Sequence, residues 1–452
     1  MAALTCVPPA RDDPPFAAGS FVRGEEVTHV STVNQSGRRS HAAMLTIDRQ
    51  IDRRILLEAE SLVNAGWRVT IVAPNARLER SDPERQYPFE VSGAPPAPQR
   101  LVGSVYRLLR DALPMGEGGM RKLREIGWRF LFDQERFYRD LFARSLDGLR
   151  PDVFIAHDLP TLPAAHRAAR EAGARLIYDS HELYVEQELS EFEKRSWSAI
   201  ERRYIPDCDA VVTVNPSIAS EIAARYALER IEVIYNAERR RLASGRSRYF
   251  HEKYGLPESA RVLLMQGGLT NGRNIETLVG AMDLVGNPDI HLVIVGEGPL
   301  RGRLDAMAAR GRAGARVHLH ERVAQAELLA HTAAADAGVI PYQPTCLNNY
   351  YCTPNKLFEF IAAGVAVLSS DLPEVRRIVD ERQIGLLADL SREELAAKAI
   401  EAVFSDTARL ARWRANAAAA SAEVNWDVEG TKFVAIVERV LAEGRPRLVA
   451  KP

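Results

Sequence analysis

Short apolar runs recur along this chain, each separated from the next by a stretch with the length and spacing of a helix. That alternation limits what the chain can fold into more than any other feature. Residues 51–65 place Ile55, Leu56, Ala59, Leu62 and Val63 at helical spacing and stop at Gly66, and an apolar run follows at 67–73. With an opening strand expected at 27–33, this is a strand–helix–strand unit, which needs a parallel sheet with helices on its faces. The rhythm resumes at 153–156 and 175–178, flanking a helix over 163–172, and at 210–214 and 231–234, flanking a helix over 218–226. A polar, Arg-rich stretch at 237–260 reads as a hinge, and 75–100 as loop. Beyond the hinge, strands are expected at 262–266, 291–295, 317–319, 338–340 and 365–369, with a last helix over 428–442. The expectation is an α/β protein of two doubly wound domains facing a central cleft that holds the ligand.

A length of 452 residues exceeds a single core, in keeping with domains at 26–236 and 261–425. The 46% hydrophobic and 26% charged content is that of an ordinary soluble protein, and a net charge of −1 gives no pull toward nucleic acid. Cys6, Cys208, Cys346 and Cys352 are dispersed with no C-x-x-C pair, which argues against a disulfide framework or zinc site and fits a reducing cytoplasm. No apolar run approaches the ~18 residues of a membrane span. Pro8, Pro9, Pro14 and Pro15, with Asp12 and Asp13, break up any signal-peptide core, so 1–25 is expected to be a disordered tail. A helical insert at about 100–150 carries Arg100, Tyr106, Arg107, Arg110, Arg121, Lys122, Arg124, Trp128, Arg129 and Phe130. Over 100–130, seven positive charges stand against three negative ones. An amphipathic insert with a solvated face accounts for them. The sharper expectation is peripheral contact with the inner membrane or a lipid acceptor.

The chemistry concentrates at Thr353-Pro354-Asn355-Lys356-Leu357-Phe358-Glu359, which opens a helix that stops at Gly364 before the run at 365–369. Unpaired N–H groups and a partial positive charge suit a helix N-terminus to phosphate, and Lys356 adds a full charge in the first turn. Glu359, one turn deeper, can accept hydrogen bonds from two sugar hydroxyls. One helix thus suits both the diphosphate and the ribose of a sugar nucleotide. In the first half, His157-Asp158 and Asp179-Ser180-His181-Glu182 each follow a strand, where open α/β sheets place their sites. His157, Asp158, Asp179 and His181 are acceptable metal-ligand types, but no two-His helix spacing supports a metal. Ser180 lacks the G-x-S-x-G elbow of a nucleophile. Gly302 comes one residue late for a G-x-G-x-x-G fingerprint beginning at Gly296, which disfavours a nicotinamide dinucleotide.

The segment from Thr353 to Gly364 strongly resembles the donor-binding segment of the family 4 glycosyltransferases, and the two halves resemble the GT-B architecture of two Rossmann-like domains. The resemblance covers about 27–445 and is weakest over 75–145. It implies a metal-independent, cofactor-free enzyme that moves a sugar from a nucleoside diphosphate donor to a hydroxyl on a glycan, lipid-linked or small-molecule acceptor, with retention. It makes the second half the donor domain and the first the acceptor domain. The final helix, within 426–452, crosses back after Trp426-Asp427. Gln266-Gly267-Gly268-Leu269-Thr270-Asn271-Gly272-Arg273 resembles the family's phosphate loop. Gly267 and Gly268 would let the backbone approach the diphosphate, and Arg273 would pair with it. Gly296-Glu297-Gly298 resembles a turn beside the nucleotide. Thr353, Pro354, Asn355, Lys356 and Glu359 complete the implied donor site, with Arg273 and Lys356 stabilising the leaving diphosphate. His157, with Asp158, His181 and Glu182, resembles the acceptor-side motifs, and His157 would contact the transferred sugar or the acceptor. Two departures stand out: many relatives carry Arg in place of Gly268, and most pair Glu359 with a Glu where Tyr351 stands. A nucleotide-sugar 2-epimerase and a non-catalytic sugar-nucleotide binder are the alternatives on the same fold.

Overall fold

The computed structural model describes residues 39–74, 88–92, 133–240 and 247–443. The expected strand at 27–33, the tail at 1–25 and the basic cluster at 100–130 lie outside them. Two compact units share the chain. The first comprises Met1–Thr213, Glu221–Glu232 and Lys432–Pro452, and the second Val214–Ser220 and Val233–Thr431. The chain therefore returns to the first unit within its last helix, Trp426–Ala442.

Among the described residues, the sheet of the first unit has seven strands: β1 His41–Leu45, β2 Arg68–Val72, β3 Glu90–Ser92, β4 Val153–His157, β5 Arg175–Ser180, β6 Ala210–Thr213 and β7 Glu232–Val233, the last at the boundary with the second unit. Their spatial order is β3-β2-β1-β4-β5-β6-β7, so the order reverses beside β1. The second unit holds β8 Arg261–Gln266, β9 Ile290–Val295, β10 Val317–His320, β11 Ala337–Ile340, β12 Ala366–Ser370 and β13 Gly385–Ala388. Their order, β10-β9-β8-β11-β12-β13, reverses beside β8. This is the doubly wound order, with the crevice at each switch point on the C-terminal edge of the sheet. A fully buried strand covered on both faces reads as a continuous apolar run, and Val262–Met265 has no exposed member.

Several sequence expectations need correction. The first strand of the first unit among the described residues is β1, whose Ala42, Ala43, Met44 and Leu45 are fully buried. The stretch 75–100 contains β3, which pairs with β2. The stretch 237–260 contains a helix, Tyr249–Tyr254, closed by Gly255 in the left-handed region at φ 61°. The helix expected over 51–65 spans Arg53–Asn64, but its inward face carries Arg54, Leu57 and Glu58 in place of Leu56 and Val63.

Packing in the second unit generates a stability prediction. A Cβ added at Gly338, in β11, would stand 2.3 Å from the ring of the fully buried Phe360. Gly338→Ala is expected to destabilise the protein by roughly 1–3 kcal/mol through overpacking. Gly302→Ala, on an exposed helical site with nothing within 4 Å, should instead be neutral or stabilising by up to ~1 kcal/mol. Thermal unfolding of both variants checks the pair, and equal melting temperatures would contradict the packing argument.

Candidate active site

At the switch point of the first unit lies a buried charge cluster. Asp52 caps the helix Arg53–Asn64, its carboxylate accepting from Arg54 N at 2.8 Å. One turn apart on that helix, Arg54 and Glu58 face inward, 3% and 0% exposed. Arg54 forks onto Asp179, with Nη2 2.9 Å from Oδ1 and Nε 3.1 Å from Oδ2. Its Nε is also 2.8 Å from Glu58 Oε1. Asp179 is the register partner of His157 across β4 and β5. His157 Nδ1 at 3.2 Å and His181 Nε2 at 2.9 Å converge on the same Asp179 Oδ2. Asp158 accepts from His181 N at 3.0 Å and sits at φ 61°, a region that costs a non-glycine residue about 1–3 kcal/mol.

Burial and pairing divide the protons. Burial, reinforced by the Asp179 charge, pushes Glu58 well above the usual carboxylate range despite the Arg54 guanidinium beside it. Burial also opposes charge on Asp179, but Arg54 and the two imidazoles hold it well below that range. His181 overcomes its burial through Asp158 and Asp179 and is raised to about 10, which makes it a cation at neutral pH. Burial lowers His157, which stays neutral. With Nδ1–H directed at Asp179, its buried Nε2 keeps a lone pair and has no hydrogen-bond partner among the described residues. His157, Asp179 and His181 do bring three metal-ligand atoms within 4.8 Å of one another.

In the second unit the glycine turns extend the sheet past its last strand residues. Gly267 N bonds Val295 O at 2.9 Å, Leu269 N bonds Glu297 O at 2.9 Å, and Leu300 N returns to Leu269 O at 3.1 Å. A Cβ on Gly296 would stand 2.0 Å from Gly267 O, and one on Gly298 2.4 Å from Leu269 O, so side chains are excluded where the two turns touch. Gly268 is exposed and Glu297 presents an exposed side chain. Helix Asn355–Ala362 starts behind Pro354 with no side-chain cap on its N–H groups. Lys356 is buried in its first turn, its ammonium against Gly267, where a Cβ would be 3.4 Å away. Burial and the Arg273 charge lower Lys356 to about 8. Glu359, half-buried, accepts from Gln266 Nε2, and Gln266 Oε1 accepts from Thr332 Oγ1 at 3.0 Å. Thr353 is buried and its Oγ1 lies 3.3 Å from Asn215 Nδ2, which also donates to Tyr351 O at 2.8 Å. Asn355 is exposed, its Oδ1 3.2 Å from Asn236 Nδ2. Gly267, Gly296, Gly298, Arg273, Lys356 and Glu359 thus gather at one edge of one sheet.

Comparison with known proteins places this geometry. A model of the glycosyl transferase 4-like domain matches residues 51–237, and one of the glycosyl transferases group 1 matches 247–420. The chain belongs to the family 4 glycosyltransferases. A phosphatidyl-myo-inositol mannosyltransferase of Mycobacterium tuberculosis is 29% identical over 43% of this chain and 52% of its own length. The chain thus spans about half the length of the curated relatives it matches. Among solved structures, a sucrose-phosphate synthase from Thermosynechococcus elongatus superposes over 89% of this chain and 100% of its own, with TM-score 0.67 and 16% identity. Anabaena HepE with UDP-glucose covers 88% of this chain and 99% of its own, with TM-score 0.64 and 15% identity. The fold is GT-B.

Within this family member, the sequence reading singled out His157, Asp158, His181 and Glu182, and the first three sit in the charge cluster. Glu182 is half-buried beside it, its carbonyl accepting from Ser180 Oγ at 2.8 Å. Sequence reasoning missed Arg54 and Glu58, although their spacing puts them on the same helical stripe as Ile55 and Leu62. It also missed Asn215, Thr332 and Tyr342. No local motif marks those three, because their partners lie far away in the chain.

The proton assignment has a pH signature. A group raised in the folded state contributes stability that is complete below its unfolded value and lost as pH climbs through the folded one. His181 should therefore stabilise the fold below about pH 6.5 and lose that contribution as pH rises toward about 10. His181→Gln is expected to be less stable than the parent at low pH, with the gap shrinking across that window. Urea midpoints across the window test this, and a gap independent of pH would remove the charge from His181.

Proposed function

We propose that the protein transfers a sugar from a nucleoside diphosphate donor to a hydroxyl acceptor on a glycan or glycolipid, with retention and without a metal. The observation that carries this reading is the pairing of two cations, Arg273 and Lys356, over one Tyr342 ring at an uncapped helix N-terminus. Glu359 stands one turn further along the same helix. Cleavage of the donor builds negative charge on the leaving diphosphate. Arg273, Lys356 and the helix N–H groups oppose that charge, and fixed donors of this kind contribute far more in a water-poor site than in bulk water. Gln266 and Thr332 hold the Glu359 carboxylate in place for a ribose diol. His157, with its basic Nε2, is the group we assign to the transferred sugar or the acceptor hydroxyl. The names of the similar proteins, a phosphatidyl-myo-inositol mannosyltransferase and a protein in complex with UDP-glucose, favour a nucleotide-sugar donor and a lipid-linked or glycan acceptor.

Three variants and one assay test the reading. Transfer is measured with uridine and guanosine diphosphate sugars, each with and without acceptor, since turnover of donor alone would indicate an epimerase. Glu359→Gln should weaken donor binding by roughly 10- to 100-fold, because charged hydrogen bonds contribute about 1.5–3 kcal/mol. Lys356→Ala should cost about 10²–10³ in turnover. His157→Ala should abolish transfer while leaving nucleoside diphosphate affinity near the parental value; because the ring is buried and donates to Asp179, the melting temperature should fall. A folded His157→Ala protein that transfers normally would take His157 out of the site.

A further inference from the structure

Tyr342 follows β11, across the switch point from the Gly267 turn that follows β8, and it is 6% exposed. Arg273 Cζ stands 4.4 Å from the centroid of its ring and Lys356 Nζ 4.5 Å. The Lys356 ammonium also donates a hydrogen bond to the Tyr342 hydroxyl. One side chain therefore uses its π-face and its oxygen to hold two like charges together. Two neighbouring cations repel each other and lose hydration on burial, so they need a reason to stay aligned. The ring face attracts the guanidinium, and the phenol oxygen replaces part of the ammonium's lost hydration. We propose that Tyr342 is a positioning residue of the donor site, holding Arg273 and Lys356 as a two-cation clamp for a diphosphate.

The inference rests on the donor-site reading above and extends it to a residue outside the phosphate-binding motifs. It has a consequence that mere packing would not have. Lys356 faces Tyr342, Arg273, Glu359 and Cys352; burial and Arg273 weaken its hold on a proton, while Glu359 and Cys352 strengthen it. The phenol oxygen accepts from the charged ammonium, so its removal favours the neutral amine. A diphosphate needs the charged form. Loss of the hydroxyl should therefore weaken binding in alkaline solution and spare it in mildly acid solution.

The test measures the affinity of the full chain for UDP, GDP and inorganic pyrophosphate by calorimetry at about pH 6.5 and about pH 8.5, which bracket the Lys356 midpoint. Each variant is compared with the parent at the same pH, so titration of the probe cancels. Tyr342→Phe should bind within about twofold of the parent at the lower pH and roughly eightfold more weakly at the higher one. Tyr342→Leu, which also removes the ring from beneath Arg273, should lose roughly tenfold or more at both. Parental affinity in Tyr342→Phe at both pH values, or an equal loss at both, overturns the clamp. If Tyr342→Leu fails to fold, the Phe variant alone decides. A parent protein that binds none of the three probes overturns the donor-site reading and the clamp with it.

Discussion

Both units depend on parallel strand pairing. Every strand pair whose register is resolved is parallel, from β1 with β2 to β12 with β13. Parallel neighbours cannot be joined by a tight turn, so each crossover must run back outside the sheet, and every strand ends on the same edge. Residues remote in sequence are thereby delivered to one place. Arg54 meets Asp179 and Gln266 meets Glu359 because each lies at or just beyond that edge. The glycine turns at 267–269 and 295–300 carry the β8–β9 ladder further, so their backbone is an extension of the sheet itself.

Given that shared edge, the two units handle charge in opposite ways. The cluster around Asp179 pairs its charges: the Arg54 guanidinium and the His181 imidazolium face the carboxylates of Asp179 and Asp158, while burial favours the protonated form of Glu58. Buried charge is tolerated when each ion is paired and hydrogen-bonded, and removing one partner is far more costly than removing the set. Such a cluster fixes side chains, and here it fixes the tautomer of His157. The edge of the second unit concentrates positive charge on Arg273, Lys356 and the start of the helix at Asn355. Burial lowers Lys356 to about 8, so near neutral pH it remains mostly the charged ammonium and turns neutral only in alkaline solution. The paired cluster suits a group that must stay in one orientation, and the cationic site suits a substrate that brings the missing charge.

Legibility in the sequence follows from the same division. The alternating pattern revealed the doubly wound fold because buried parallel strands are near-continuous apolar runs, as at β8 and β9. It failed at β1, whose Ala42, Ala43 and Met44 have weak strand preference and become a central strand only through burial between β2 and β4. The segment from Thr353 to Gly364 was readable because a loop, a helix start and a glycine stop fall within a dozen consecutive positions. Arg54 and Glu58 were not, since a charged pair one turn apart on a helix is ordinarily solvated. Only the fold supplies Asp179, from a distant strand, as the reason for burying them. Tyr342 is invisible for a related reason: a tyrosine after a strand has no meaning until two cations arrive on its ring.

The departures at Gly268 and Tyr351 take on a physical sense in this arrangement. A Cβ at 268 would meet only Thr270, at 3.9 Å, so space does not forbid a side chain there. Tyr351 acts through its backbone, its carbonyl accepting from the buried Asn215, while its ring leans on Tyr350 with centroids 5.1 Å apart. The Asn215 anchor fixes the approach to Thr353 without a carboxylate at 351. Arg273 and Lys356 therefore carry the side-chain charge, and the helix start adds a partial charge of about half a unit. A site with fewer cations depends more heavily on how well each is placed. Packing both against one aromatic ring, beside a glycine turn that admits no side chain where it crosses its neighbour, supplies that placement.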